Sequence, residues 1–103
     1  MAKFVFKLQN ILEVKLQLES QAKIEYGLAN QKLREEEEQL QILITQRREY
    51  EKKAADLVQG ALRIRDIKAN KQSIEIMKTK IRAQMLMVQA AEKQVELARL
   101  KLN

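Results

Sequence analysis

The stretch Ala54-Ala55-Asp56-Leu57-Val58-Gln59-Gly60-Ala61-Leu62-Arg63-Ile64-Arg65-Asp66-Ile67 divides the chain in two. Gly60 is one of two glycines in 103 residues without a proline, and no other strong helix breaker stands near the centre. On either side, apolar residues recur in steps of three and four, the spacing of one face of a helix. Gly60 therefore reads as the fold-back of a helical hairpin. The fold class expected is all-α: two long helices in an antiparallel coiled-coil hairpin forming a single domain over residues 1–103. Helix one is placed at about 3–58, the turn at about 59–65 and helix two at about 66–103, with Asp66 as its N-cap.

Upstream of Gly60 the stripe runs Phe4, Leu8, Ile11, Lys15, Leu18, Ala22, Tyr26, Ala29, Leu33, Glu36, Leu40, Leu43, Arg47, Tyr50, Ala54 and Leu57. This is a heptad seam with one extra step of four between Ala22 and Tyr26, a stutter that locally unwinds a supercoil. Gly27 lies beside it and reads as a tolerated weak point in the helix. The downstream seam is Ile67, Asn70, Ile74, Met77, Ile81, Gln84, Val88, Ala91, Val95, Ala98 and Leu102. A short turn sets Leu57 opposite Ile67, Tyr50 opposite Ile74, Leu43 opposite Ile81, Leu33 opposite Ala91 and Tyr26 opposite Ala98. A slide of one heptad gives layers of similar polarity, and the shortness of the turn selects among them.

In that register Asn103 reaches only to about residue 21. The first twenty residues have no partner within the chain, although Val5, Phe6, Leu12, Val14 and Leu16 add apolar side chains outside the seam. Such a surface calls for another molecule or for a further C-terminal segment. Self-association through it is expected of this chain.

Composition narrows the function. Charged residues make up 33% and aromatic residues only 4%, and helix formers dominate, as in coiled coils. There is neither Cys nor His, which excludes disulfides, imidazole or thiolate metal sites and Cys or His nucleophiles. The run Arg34-Glu35-Glu36-Glu37-Glu38 spreads its carboxylates around a helix, which suits a solvated face better than a metal cage. No catalytic residue, cofactor or metal is expected, and a single hairpin is not an enzyme.

The net charge of +6 belongs wholly to the second half: residues 1–62 hold ten basic and ten acidic side chains, residues 63–103 ten and four. Seven of those bases fall between Arg63 and Arg82. Without aromatics for stacking the band is a poor nucleic-acid surface, and a protein partner is expected instead. Met85 and Met87, off the seam, are further candidates for contact.

Phe4-x-Phe6-x-Leu8 followed by Ile11-Leu12, Lys15, Glu19 and Ala22, with Tyr50 and Gly60 later, resembles the FliJ family. This is the small coiled-coil component of the bacterial flagellar type III export apparatus. The resemblance implies a non-catalytic stalk that binds the hexameric export ATPase and couples it to the cytoplasmic domain of the export gate, with an escort role toward export chaperones. It implies a cytoplasmic location, peripheral on the inner face of the cell membrane at the flagellar base. Carried over position by position, ATPase contacts fall on Lys3, Lys7, Leu8, Ile11 and Lys15, and gate contacts on Ser73, Met77, Lys80 and Gln84. Family members run longer than this chain, which implies a missing C-terminal part. A generic coiled-coil scaffold ranks second, and a nucleic-acid-binding helix pair third.

Overall fold

Two helices account for the secondary structure of the computed structural model, which describes residues 2–59 and 63–102. Helix α1 runs Ala2–Gln59 and helix α2 runs Ile64–Lys101. Gly60, expected to make the fold-back, and Ala61 lie outside the described residues. The helices are antiparallel: as positions rise along α2, their partners fall along α1, from Asn70 with Tyr50, through Gln84 with Glu36, to Lys101 with Glu25.

The pairing is one seam wide. Met77, Ile81, Val88, Ala91 and Ala98 of α2 and Ala22 of α1 are buried, and Tyr26, Ala29, Leu33, Leu40, Leu43, Ala54 and Leu57 are half-buried. These are seam positions, and small residues such as Ala91 and Ala98 let the helices approach closely. Ala54 and Leu57 share a crevice with Ile67, Asn70 and Ile74, whereas the two side-chain amides that cross the seam reach Tyr50 and Glu36, four residues from the partners Ala54 and Leu40 that the expected ladder gives them. No described residue of appreciable size is fully sealed from solvent. A two-helix coil leaves each helix one covered stripe and no interior.

Polar groups cross the seam at two levels. Gln84 donates to the Glu36 backbone carbonyl at 2.9 Å and to its carboxylate at 2.7 Å. Lys32 closes on the same carboxylate at 3.1 Å. Asn70, 7% exposed, donates its side-chain amide to the Tyr50 carbonyl at 3.2 Å. Asn70 and Gln84 are two heptads apart, and so are Tyr50 and Glu36. Arg47, also on the seam, turns its guanidinium to Glu51 at 2.9 Å, and its stem can cover apolar neighbours while the head stays wet.

The start of α2 corrects one expectation. Its N-cap is Arg63, with extended backbone and no side-chain cap, and Asp66 is the acidic residue of the first turn. The Arg63 carbonyl opens the helical ladder by accepting from the amides of Asp66 at 3.0 Å and Ile67 at 3.2 Å. A carboxylate in the first turn favours the positive end of the helix dipole as a cap would, so both placements share one sequence cue.

Helix α1 passes through Gly27 without a break, and a Cβ built there meets nothing within 4 Å. Gly27→Ala should therefore stabilise the hairpin by about 1 kcal/mol, read as a higher urea midpoint at unchanged slope. The hydrogen bond from Gln84, followed by that from Lys32, holds the Glu36 carboxyl below its ordinary value of 4.5. A depressed folded-state value means stability that is present above the unfolded value and is lost as pH falls through the folded one. Replacing Gln84 with Leu should flatten that acid limb in denaturant titrations below pH 4.5; an unchanged limb would show that the contact is not made.

Candidate partner-docking surfaces

The molecule measures 91 × 17 × 15 Å. Its length is that of α1, whose 58 residues span about 87 Å at 1.5 Å per residue. Helix α2 has 38 residues, about 57 Å, so α1 overhangs it by roughly 30 Å at the end opposite the turn.

Every residue from Ala2 to Gln21 is exposed. The seam nevertheless continues into the overhang in line with buried Ala22. Phe4 is 67% exposed, Ile11 59% and Leu18 60%. Phe6, Leu12 and Leu16 are equally bare on other faces of the same helix. Clustered apolar exposure of this kind marks an interaction site. Lys3, Lys7 and Lys15 stand among these side chains, and none joins an ion pair among the described residues. The expected ATPase-contact residues Lys3, Lys7, Leu8, Ile11 and Lys15 thus all lie on this overhang, with an apolar face and a basic fringe.

The other predicted group is divided by the seam. Met77 is 5% exposed, and Gln84 is held by Glu36. Ser73 is half-buried and donates to the Ala69 carbonyl at 3.1 Å. Lys80 alone of the four is exposed. Met77 and Gln84 are seam positions, and a helix cannot offer the same stripe to its hairpin partner and to another protein.

Outside the seam, Met85 and Met87 are half exposed, at 50% and 49%. The acidic run separates by face: Glu36 turns to the seam, whereas Glu35, Glu37 and Glu38 are exposed. Among the described residues no three carboxylates gather as a metal site would need, and no helix is long and apolar enough to cross a membrane. The crevices are shallow grooves between surface turns, such as those beside Ile42 and beside Ile76. The described residues present their side chains along a rod.

The polar layers carried a sequence signal of their own. Glu36, Asn70 and Gln84 each break an apolar seam, which marks them for polar contact across the coil, although the expected ladder sets Glu36 opposite Val88 and Gln84 opposite Leu40.

Comparison with curated proteins and with solved structures returns no match. The family model described as "Flagellar FliJ protein" matches residues 4–103, taking in both helices and all but the first turn of the overhang. The chain belongs to the FliJ family, a component of the flagellar export apparatus.

Proposed function

We propose that the protein is the non-catalytic stalk of that apparatus, binding the hexameric export ATPase through its α1 overhang and coupling it to the cytoplasmic domain of the export gate. The observation that carries this reading is the face of the overhang: Phe4, Leu8 and Ile11 continue the seam apolar and exposed, with Lys3, Lys7 and Lys15 beside them. Partner docking of this kind relies on buried apolar anchors for affinity and on rim charges for approach. Phe4, Leu8 and Ile11 are the anchors, and the lysines are the rim.

A single hairpin seated in a six-fold ring cannot touch six equivalent subunits alike. It favours different nucleotide states in different subunits, provided that its affinity for those states differs. The effect on ATP turnover comes through contact alone. Toward the export gate, exposed Lys80 and the accessible part of Ser73 are the usable members of the α2 group. Export chaperones are further partners within the same reading, which places the protein in the cytoplasm, peripheral on the inner face of the membrane at the flagellar base. With no ATPase present, the bare overhang is also where copies of this chain would associate.

The protein should raise the ATPase activity of its cognate hexamer. Ile11→Asp should weaken binding about 30-fold, corresponding to a hot-spot loss of about 2 kcal/mol. Helix content should not change, because Ile11 packs against nothing in the hairpin. A hexamer whose turnover and assembly ignore the protein would leave a generic coiled-coil scaffold. Lys7→Glu should weaken binding more at low salt than at high, since the Debye length falls from about 10 Å at 0.1 M to about 3 Å at 1 M. Equal losses at both salts would remove Lys7 from the rim.

A further inference from the structure

Helix α2 carries a second heptad stripe. Ile76, Ala83, Leu86, Ala90, Leu97 and Leu100, with Thr79 and Lys93 between them, follow one another in alternating steps of three and four. Each stands two positions beyond a residue of the buried seam, a turn of about 200° about the helix axis, and so lies on the back of α2. All are exposed: Ile76 by 55%, Leu86 by 66%, Leu97 by 47% and Leu100 by 55%. The equivalent back positions of α1 beyond Leu28 are polar, among them Gln31, Glu35, Glu38, Thr45 and Glu49, with Ile42 the exception. An apolar stripe at 3.5-residue spacing is what a coiled-coil partner covers, and only α2 has one on its back.

We propose that this stripe is an interface with a second copy of the chain, the two α2 helices packing back to back and antiparallel. The spacing is its own mirror image. Turned end for end about a point level with Val88, Ile76 meets Leu100 of the second copy, Thr79 meets Leu97, Ala83 meets Lys93 and Leu86 meets Ala90. Every layer falls on the stripe, and Leu86 fills the space that Ala90 leaves. The flanks agree in charge. Arg82 faces the second copy's Glu96 on both sides of the two-fold axis, Lys80 faces Gln94, Met87 meets Met87, and Gln89 meets Gln89. No two like charges stand opposed. Arg82 has no ion-pair partner among the described residues, and Glu96 sits at the flank, held by Arg99 at 2.6 Å. The stripe lies on the side of α2 away from α1, so the interface leaves the seam and the α1 overhang untouched and does not depend on what the overhang binds.

Sedimentation of the full chain over a range of concentrations, and of its Leu12→Glu variant to silence the overhang, tests this. Both should dimerise, and Leu86→Glu should weaken the dimer at least tenfold without loss of helix. Arg82→Glu should weaken it as well, and Arg82→Glu with Glu96→Arg should restore it. Each copy carries a net +6, so association should tighten as salt screens that repulsion, whereas docking of an acidic partner helix would weaken. Spin labels at Met87 should lie within about 15 Å of each other, as helices packed at 8–10 Å allow. Labels at Glu75 should stand about 39 Å apart along the rod at 1.5 Å per residue. A monomer at every concentration, a dimer lost on Leu12→Glu but not on Leu86→Glu, or close labels at both positions would each overturn the proposal.

Discussion

The structure depends on the pairing of two helices of unequal length along a single seam. A lone helix gains little in water beyond its own propensity, and most helical stability in proteins comes from covering an amphipathic face. Helix α2 covers α1 from Ala22 to Leu57, and the cover stops where α2 stops. The last buried residue of α1 toward the N-terminus, Ala22, stands level with Leu102 in the expected ladder. Burial in α1 is therefore set by the reach of α2. The side chains of the overhang are no less apolar than those in the seam: Phe4, Leu8 and Ile11 continue the same spacing.

What holds the two helices at one register against a heptad slide is the polar layer of Gln84 and Glu36. A slide by one heptad would keep apolar residues facing apolar residues in most layers. It would take Gln84 away from Glu36 and leave that carboxylate against Met77 or Ala91, neither of which donates a hydrogen bond. Asn70, which donates to a backbone carbonyl, would meet that of Leu43 or Leu57 in place of Tyr50 and does not choose among these slides. Burying such groups unpaired costs more than the apolar layers can distinguish. No buried side-chain polar atom among the described residues lacks a partner. The apolar seam supplies the attraction, and the Gln84–Glu36 pair chooses the alignment.

The hairpin was legible in the sequence because a heptad repeat is a geometric statement: it names which residues share a face, and two such repeats stand on either side of a short interruption. The bare overhang followed from counting residues on either side of that turn. The start of α2 was less legible, since a carboxylate at the first turn and one at the cap satisfy the same dipole and leave the same cue. The α2 contact group was least legible. Positions carried over by resemblance fell on Met77 and Gln84 because the motif there is weak, and spacing alone did not test them against the seam already drawn through the same residues. The back stripe of α2 was present in the spacing, but an apolar stripe is recognisable as unpartnered only once the other stripe has been seen to be covered.

The two bare surfaces differ in what they can transmit. The overhang is the continuation of α1, so a force or a tilt applied there acts on a helix that runs the whole 91 Å of the molecule. Along most of that length α1 is braced on one face by α2. Apart from Ile42, its own back is polar beyond Leu28. The stripe on α2 lies on the opposite side of the rod and ends near Leu100, close to where the overhang begins. A partner on the stripe would thicken the paired region and stiffen it against bending while leaving the tip slender. A rod of this kind acts on its neighbours through shape and differential contact. Over the described residues the shape is that of a braced shaft, with the apolar seam of α1 continuing beyond the part that α2 covers.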